Sequence, residues 1–308
     1  MKKIFLTSLL LFVISCQLVY SQAGQTGLSF LELGIGGRAL GMGEAYTAIA
    51  SDPSATYYNP AALSLSKKSQ LLLMHKEYFQ GTKTENIVAS TSINQISIGF
   101  NVNATTISDI ELRTVPGPAL GTFTARYALI GLSGAYEFDS IISVGVTGKY
   151  LFEKIFTDEA SGLAFDLGGM YMTPWDIRLG FAISNLGSMS ELRNESTKLP
   201  QTIRVGAGYV IPVEKIDGTL TTSADIVSVV NKSKTYLYLG GEFNYKNTFS
   251  VRLGYQTSHE SKNLSNNIGN ISGGVGIRYS MFQVDYAFVP FRYDFGSTHT
   301  FSLCIDIP

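Results

Sequence analysis

The residues that could carry covalent chemistry are few, and their spacing keeps them apart. The three histidines, His75, His259 and His299, include no pair at metal-ligand spacing. Gly131-Leu132-Ser133-Gly134-Ala135 misses the nucleophile-elbow pattern by one place. Gly34-x-Gly36-x-x-Ala39 matches a dinucleotide fingerprint on paper. It follows an export signal rather than a strand and opens no βαβ unit, so its glycines read as structural. Cys304 lies in an alternating strand pattern and reads as a packing residue. No catalytic residue, cofactor or metal is expected, and the chain is read as non-enzymatic.

What remains is a set of charges at strand positions. By parity, Asp166, Asp176, Arg178, Arg204, Asp225, Arg252, Arg278, Asp285 and Asp306 are expected on one face of their strands, the face of small and polar residues. They could form a selectivity surface for a passing solute, or an ion-pair network with Arg38, Glu44 and Asp52 from the N-terminal segment. The second reading is favoured. Both signs are mixed, and pairing is the least costly way to keep charges out of bulk water.

The elements that would position these charges are strands. Trp175, Ile177, Leu179, Phe181 and Ile183 alternate with Asp176, Arg178, Gly180, Ala182 and Ser184. Phe249, Val251, Leu253 and Tyr255 alternate with Ser250, Arg252, Gly254 and Gln256. Similar runs occupy 96–103 and 282–288. Period two belongs to a strand and not to a helix. The face opposite the large apolar residues carries mainly Gly, Ser, Asn and Ala, where a soluble sandwich would show Lys and Glu. An apolar outer band around a polar interior is the pattern of a transmembrane β-barrel.

Fourteen strands are predicted, at 69–79, 84–92, 95–105, 120–138, 141–155, 160–172, 175–186, 200–211, 217–229, 235–246, 248–258, 268–280, 281–290 and 298–307. Each meets the roughly 9–11 residues a membrane-crossing strand needs. Short connections, such as Asp139-Ser140 and Asn247, alternate with longer ones at 106–119, 187–199 and 259–267. That sorting places both termini at the short-turn, periplasmic end. Open edges cannot survive in lipid, so the first strand must pair with the last. Tyr78, Tyr150, Tyr209, Tyr255 and Tyr279, near strand ends, would supply the interfacial aromatic girdles.

Bulk composition agrees with this reading. Charged residues make up 15% of the 308, and glycine stands at 31, against roughly 25% charged in ordinary globular domains. Residues 1–21 read as a signal peptide, with Lys2 and Lys3 ahead of an apolar stretch from Ile4 to Ile14 and cleavage after Ser21. Val13-Ile14-Ser15-Cys16 offers lipidation at Cys16 as the alternative, and either route exports the chain. Without the signal, 21 basic residues face 24 acidic ones, which leaves no basic footprint for nucleic acid.

Residues 22–66 do not alternate and are rich in small side chains. Asp52-Pro53 suits the start of a short helix, and Asn59-Pro60 suits its end. A compact segment of this kind ahead of a barrel (67–308) reads as a plug for its lumen. Between Gly36 and Leu63 the sequence resembles the N-terminal hatch of FadL-like barrels, and most closely the PorV/PorQ family. The pattern is carried by Gly36, Arg38, Ala39, Gly41, Met42, Gly43, Ala45 and Tyr46, then Ala48, Ala50, Asp52, Ala55, Tyr58, Asn59, Pro60, Ala61 and Leu63. The resemblance implies an all-β, 14-stranded antiparallel barrel in the outer membrane, in contact with its lipid, with a hatch inside. It also implies an accessory role in type IX secretion, with other secretion components and sorting-domain cargo proteins as partners. A FadL-type channel for hydrophobic small molecules such as long-chain fatty acids is the alternative.

Overall fold

A computed structural model describes residues 27–78, 80–193, 195–257, 270–290 and 296–308. The signal-peptide reading, Cys16, His259 and the connection 259–267 lie outside the described residues. The rest forms a closed antiparallel barrel of fourteen strands. In chain order they are β1 (Ser69–Glu77), β2 (Thr82–Ile93), β3 (Ile96–Leu112), β4 (Gly121–Phe138), β5 (Ile142–Ile155), β6 (Asp158–Met172), β7 (Arg178–Met189), β8 (Thr202–Val213), β9 (Gly218–Val229), β10 (Lys234–Tyr245), β11 (Phe249–Gln256), β12 (Asn270–Tyr279), β13 (Phe282–Pro290) and β14 (Ser297–Ile307). Closure comes from β1 against β14, in register from Ser69 opposite Ile307 to Glu77 opposite His299.

The two faces of the wall follow the sequence alternation. Outward side chains are large and apolar, among them Phe100, Leu132, Phe165, Phe181 and Leu253. Inward positions hold buried Thr84, Asn86, Asn101, Asn103, Thr147 and Ser302. An exposed apolar ring of this extent is stable only where something other than water covers it. The tight turns at one end use the left-handed φ that suits the twist of a hairpin, as at Asp139 and Ser140 (φ 50° and 56°) and at Lys246 and Asn247 (φ 51° and 53°).

Several expected boundaries move. β3 continues to Leu112 and β7 to Met189, so strand replaces much of the connections expected at 106–119 and 187–199. The rest of the second connection holds a small separate ribbon, Glu191–Leu192 paired with Glu195–Ser196. The longest connections do share one end of the barrel, but that end also holds the tight β5–β6 turn at 156–157.

Residues 27–66 form short turns of helix at Ser29–Glu32, Gly37–Gly41, Ala55–Tyr58 and Pro60–Leu65. None outlasts two turns, and besides local turn hydrogen bonds the segment's backbone is tied to the inward face of the strands, as at Gly37, Tyr46 and Thr47. Ile35, Ala39, Met42, Tyr46, Ile49 and Tyr58 form one buried cluster with Leu72, Met74, Val88, Ala135 and Met170 of the wall. Leu28, Phe30 and Leu31 form a second with Leu129, Leu151, Ala164, Met189 and Leu199.

Candidate functional site

The residues with special chemistry lie where this segment meets the wall. At Gly36 the backbone takes φ 83°, and its N–H points at Met74 Sδ at 3.1 Å. The short helix that follows presents Arg38. Its guanidinium grips Glu242 of β10 in a fork, Nε to Oε2 at 2.9 Å and Nη2 to Oε1 at 2.7 Å. Glu242 is shared, for Arg252 of β11 donates Nε to Oε2 at 2.6 Å and pairs through Nη1 with Asp285 of β13 at 2.8 Å. The side chains of Arg252, Glu242 and Asp285 are 1%, 5% and 3% exposed and that of Arg38 is 20%, so three of the four alternating charges are nearly dry and each member depends on the next.

Glycines make the close approach beside it possible. A Cβ on Gly41 would sit 3.1 Å from Gly274 Cα, and Gly43, at φ 62°, would bring one within 2.7 Å of Tyr255 N. Ala39 is fully buried there. Asp52 organises the next turn by accepting from Ser54 N at 2.9 Å and from the Tyr46 hydroxyl at 2.5 Å, with Arg38 3.7 Å away. Burial pushes the Tyr46 and Tyr58 phenols well above their ordinary range, so both remain neutral donors.

The opposite side of the segment is held without charge pairs. Asn59 donates Nδ2 to Thr47 O at 3.0 Å and to Gly169 O of β6 at 3.1 Å, while its Oδ1 accepts from Ala61 N at 3.1 Å. Pro60 and Ala61 press on wall glycines. A Cβ on Gly145 would lie 2.4 Å from Ala61 N, and one on Gly168 would lie 2.2 Å from Asn59 Oδ1. Ser64 hydrogen-bonds Ser143 of β5 at 2.8 Å.

The remaining expected charges lie elsewhere along the wall. Asp225 of β9 accepts from Tyr46 N, Thr47 N and Thr47 Oγ1 at 2.9, 2.9 and 2.6 Å. Asp166 of β6 pairs with Lys149 at 2.5 Å and accepts from Asn185 N at 2.8 Å. Arg204 of β8 stands 3.9 Å from Glu44 and over the rings of Tyr57 and Tyr58. Nearer the short-turn end, Arg278 pairs with Asp306 at 2.9 Å, and Arg178 opens β7 half-buried.

Asp176 is a correction. It sits exposed at φ 59° in the turn between β6 and β7, and not on the inward face of a strand. Extending the Trp175 alternation backwards ignored the turn, where Asp176 N bonds Thr173 O at 3.1 Å and Thr173 N bonds Ile177 O at 2.9 Å. Glu242 and Lys149 were missed, although both lie at inward parity in their strands.

A sequence model described as type IX secretion system membrane protein PorP/SprF matches residues 53–303. The chain belongs to the PorP/SprF family. The resemblance to PorV/PorQ therefore holds at the level of type IX secretion membrane proteins, and the matched family is PorP/SprF. No curated protein sequence is similar enough to count as a relative. Among solved structures, the CymD monoaromatic hydrocarbon channel is similar at TM-score 0.64 and 12% identity, over 89% of this chain and 98% of that one. The P. putida toluene transporter TodX is similar at TM-score 0.61 and 10% identity, over 89% of this chain and 99% of that one. At such identities the likeness is one of fold, that of the FadL-like barrels. Barrel, apolar band and family together make this PorP/SprF member an outer-membrane protein.

Proposed function

We propose that this PorP/SprF member is a non-enzymatic accessory of type IX secretion, in which residues 27–66 act as a hatch and the loop end of the barrel handles cargo bearing a C-terminal sorting domain. The observation that carries this reading is the Arg38–Glu242–Arg252–Asp285 chain. It fastens the segment to β10, β11 and β13, while Asn59–Ser64 fastens it to β5 and β6. A segment tied to the wall on two sides fills the lumen as a fixed part. Apart from the apolar residues that the segment itself covers, the inward face is largely Thr, Asn and Ser, and most large apolar side chains point outward. Among the described residues the uncovered part of that face offers a hydrophobic solute mainly polar side chains, which counts against a FadL-type channel despite the shared fold.

Cargo handling then falls to the connections at the long-loop end. The 113–120 connection carries Val115-Pro116-Gly117-Pro118, a stiff stretch that presents neighbours at low entropic cost. Val115 is 70% exposed and Leu120 69%. Deleting 113–119 should stop secretion of sorting-domain cargo and leave uptake of long-chain fatty acids or hydrocarbons unchanged. Intact secretion by that deletion, with purified protein binding such lipids in its lumen, would replace this reading with the channel. Topology is checked separately. Cysteines placed in 113–119 should label from outside intact cells, and cysteines at Ser140 or Asn247 should not.

A further inference from the structure

Under the long-loop mouth, a cavity of about 120 Å³ lies between the N-terminal segment and the wall. Tyr57, Lys149, Ser184, Arg204, Tyr236 and Tyr238 line it, with Glu32 at its margin. Most charges around it are committed. Lys149 pairs with Asp166 at 2.5 Å and donates to Asn185 Oδ1 at 2.9 Å. Glu32 pairs with Lys232 at 2.6 Å. Asp225, one strand away from Arg204, takes three hydrogen bonds at Oδ2 from Tyr46 and Thr47, while its Oδ1 has none among the described residues and lies more than 4.0 Å from the Arg204 nitrogens.

Arg204 is different. It is 5% exposed, and its Nη1 has no hydrogen-bond partner among the described residues. Glu44, its nearest carboxylate, stands at 3.9 Å, beyond hydrogen-bonding distance. Ser184, 6% exposed, likewise has no partner for its hydroxyl among the described residues. Two buried donors without acceptors, both lining one cavity, are costly features for a folded protein to keep. They suit a ligand that brings acceptors with it.

We propose that this cavity binds a carboxylate, with Arg204 Nη1 and the Ser184 hydroxyl donating to its oxygens. A guanidinium matches a carboxylate in shape and charge. Tyr57, Tyr236 and Tyr238 supply walls for the short flat or apolar group that carries it, the last two with ring centroids 6.1 Å apart. Volume sets the size of that group. Pockets for whole drug-sized molecules span roughly 300–1,000 Å³, so this one takes an end group and not an extended acyl chain. A small free aromatic acid and the C-terminal residue of a peptide share that chemistry. The proposal is independent of the secretion role.

The test is calorimetric titration of the purified full-length protein in detergent with phenylacetate, with N-acetyl-Gly-Phe bearing a free carboxylate, and with its C-terminal amide. At least one free carboxylate should bind, and the amide should bind at least about tenfold more weakly, one charge-assisted contact being worth about that factor. Arg204→Gln should weaken binding about tenfold or more, Ser184→Ala about threefold, and Arg278→Gln at the far end not at all. Preference for the peptide identifies a polypeptide end as the source, and preference for phenylacetate a free solute. Arg204 also packs on Tyr57 and Tyr58, so its variant could unseat the segment. Ser184→Ala removes a hydroxyl that has no hydrogen-bond partner among the described residues and decides the matter in that case. Absence of carboxylate binding at millimolar concentration, equal binding of the amide, or affinity unchanged by Ser184→Ala would overturn the proposal.

Discussion

The two sides on which residues 27–66 meet the wall use opposite physics. Toward β10–β13 the contact is ionic, with Arg38, Glu242, Arg252 and Asp285 alternating in sign and the last three buried. Toward β5 and β6 it is neutral and steric, with Asn59, Pro60 and Ala61 seated on Gly145 and Gly168. The ionic side tolerates no missing member, because each charge is buried on the strength of its neighbours. The neutral side tolerates no added atom, because backbone already touches backbone. Loss of a charge breaks only the first side, while the second is broken by loss of the Asn59 amide or by an added atom at Gly145 or Gly168.

The largest effect should follow Glu242→Leu. It removes the carboxylate between Arg38 and Arg252 and leaves two guanidinium groups without their shared partner. Breaking a buried pair in this way costs about 3–5 kcal/mol. Limited proteolysis should then cut within 27–66 while the barrel keeps its heat-modifiable migration on gels. If the segment stays protected, the ionic contact does not hold it.

Asn59→Ala should come next. Three hydrogen bonds vanish, at roughly 1 kcal/mol each net. Antibiotic leakage should rise and gel migration stay normal. Failure of the barrel itself to assemble would show that Asn59 serves folding of the wall and not docking of the segment.

Gly145→Ala should cost about 1–3 kcal/mol, as overpacking does, because its Cβ would collide with Ala61 N at 2.4 Å. Gly134→Ala is the control, since nothing lies within 4 Å of a Cβ there. Equal protease sensitivity in the two variants would dissolve the steric half of the comparison.

Asp176→Asn should be the smallest change, within about 0.5 kcal/mol in urea unfolding, as for exposed positions away from special contacts. Asparagine tolerates the left-handed φ that Asp176 adopts. A large loss would restore Asp176 to the interior network.

Much of the architecture was legible in the alternation. Fourteen strands, their antiparallel order and the pairing of first with last follow from period two and from the cost of an open edge in lipid. Strand ends were less legible. The runs past Thr105 in β3 and past Leu186 in β7 are polar and mixed, so hydrophobicity gives no signal there, while hydrogen bonding continues the ladder. Parity placed Asp225, Arg252 and Asp285 on the inward face, and the same parity rule would have found Glu242 between Gly241 and Phe243. Partner choice was not legible. Nothing local ties Arg38 to Glu242, since only closure of the barrel brings the two together.

That separation has a consequence in time. Arg38 waits for a residue 204 positions later, and the Gly37 N–H waits 265 positions for the Ser302 hydroxyl. The portion of the chain that emerges first thus acquires its native neighbours last. Closing such long loops is entropically expensive and slow. Until β14 arrives, the apolar stretch from Leu28 to Leu63 packs on an unclosed wall and is open to aggregation during export. Seating of this stretch and zipping of β14 onto β1 should therefore report as a single late kinetic phase. A periplasmic holding factor should be needed for the nascent N-terminus more than for any strand.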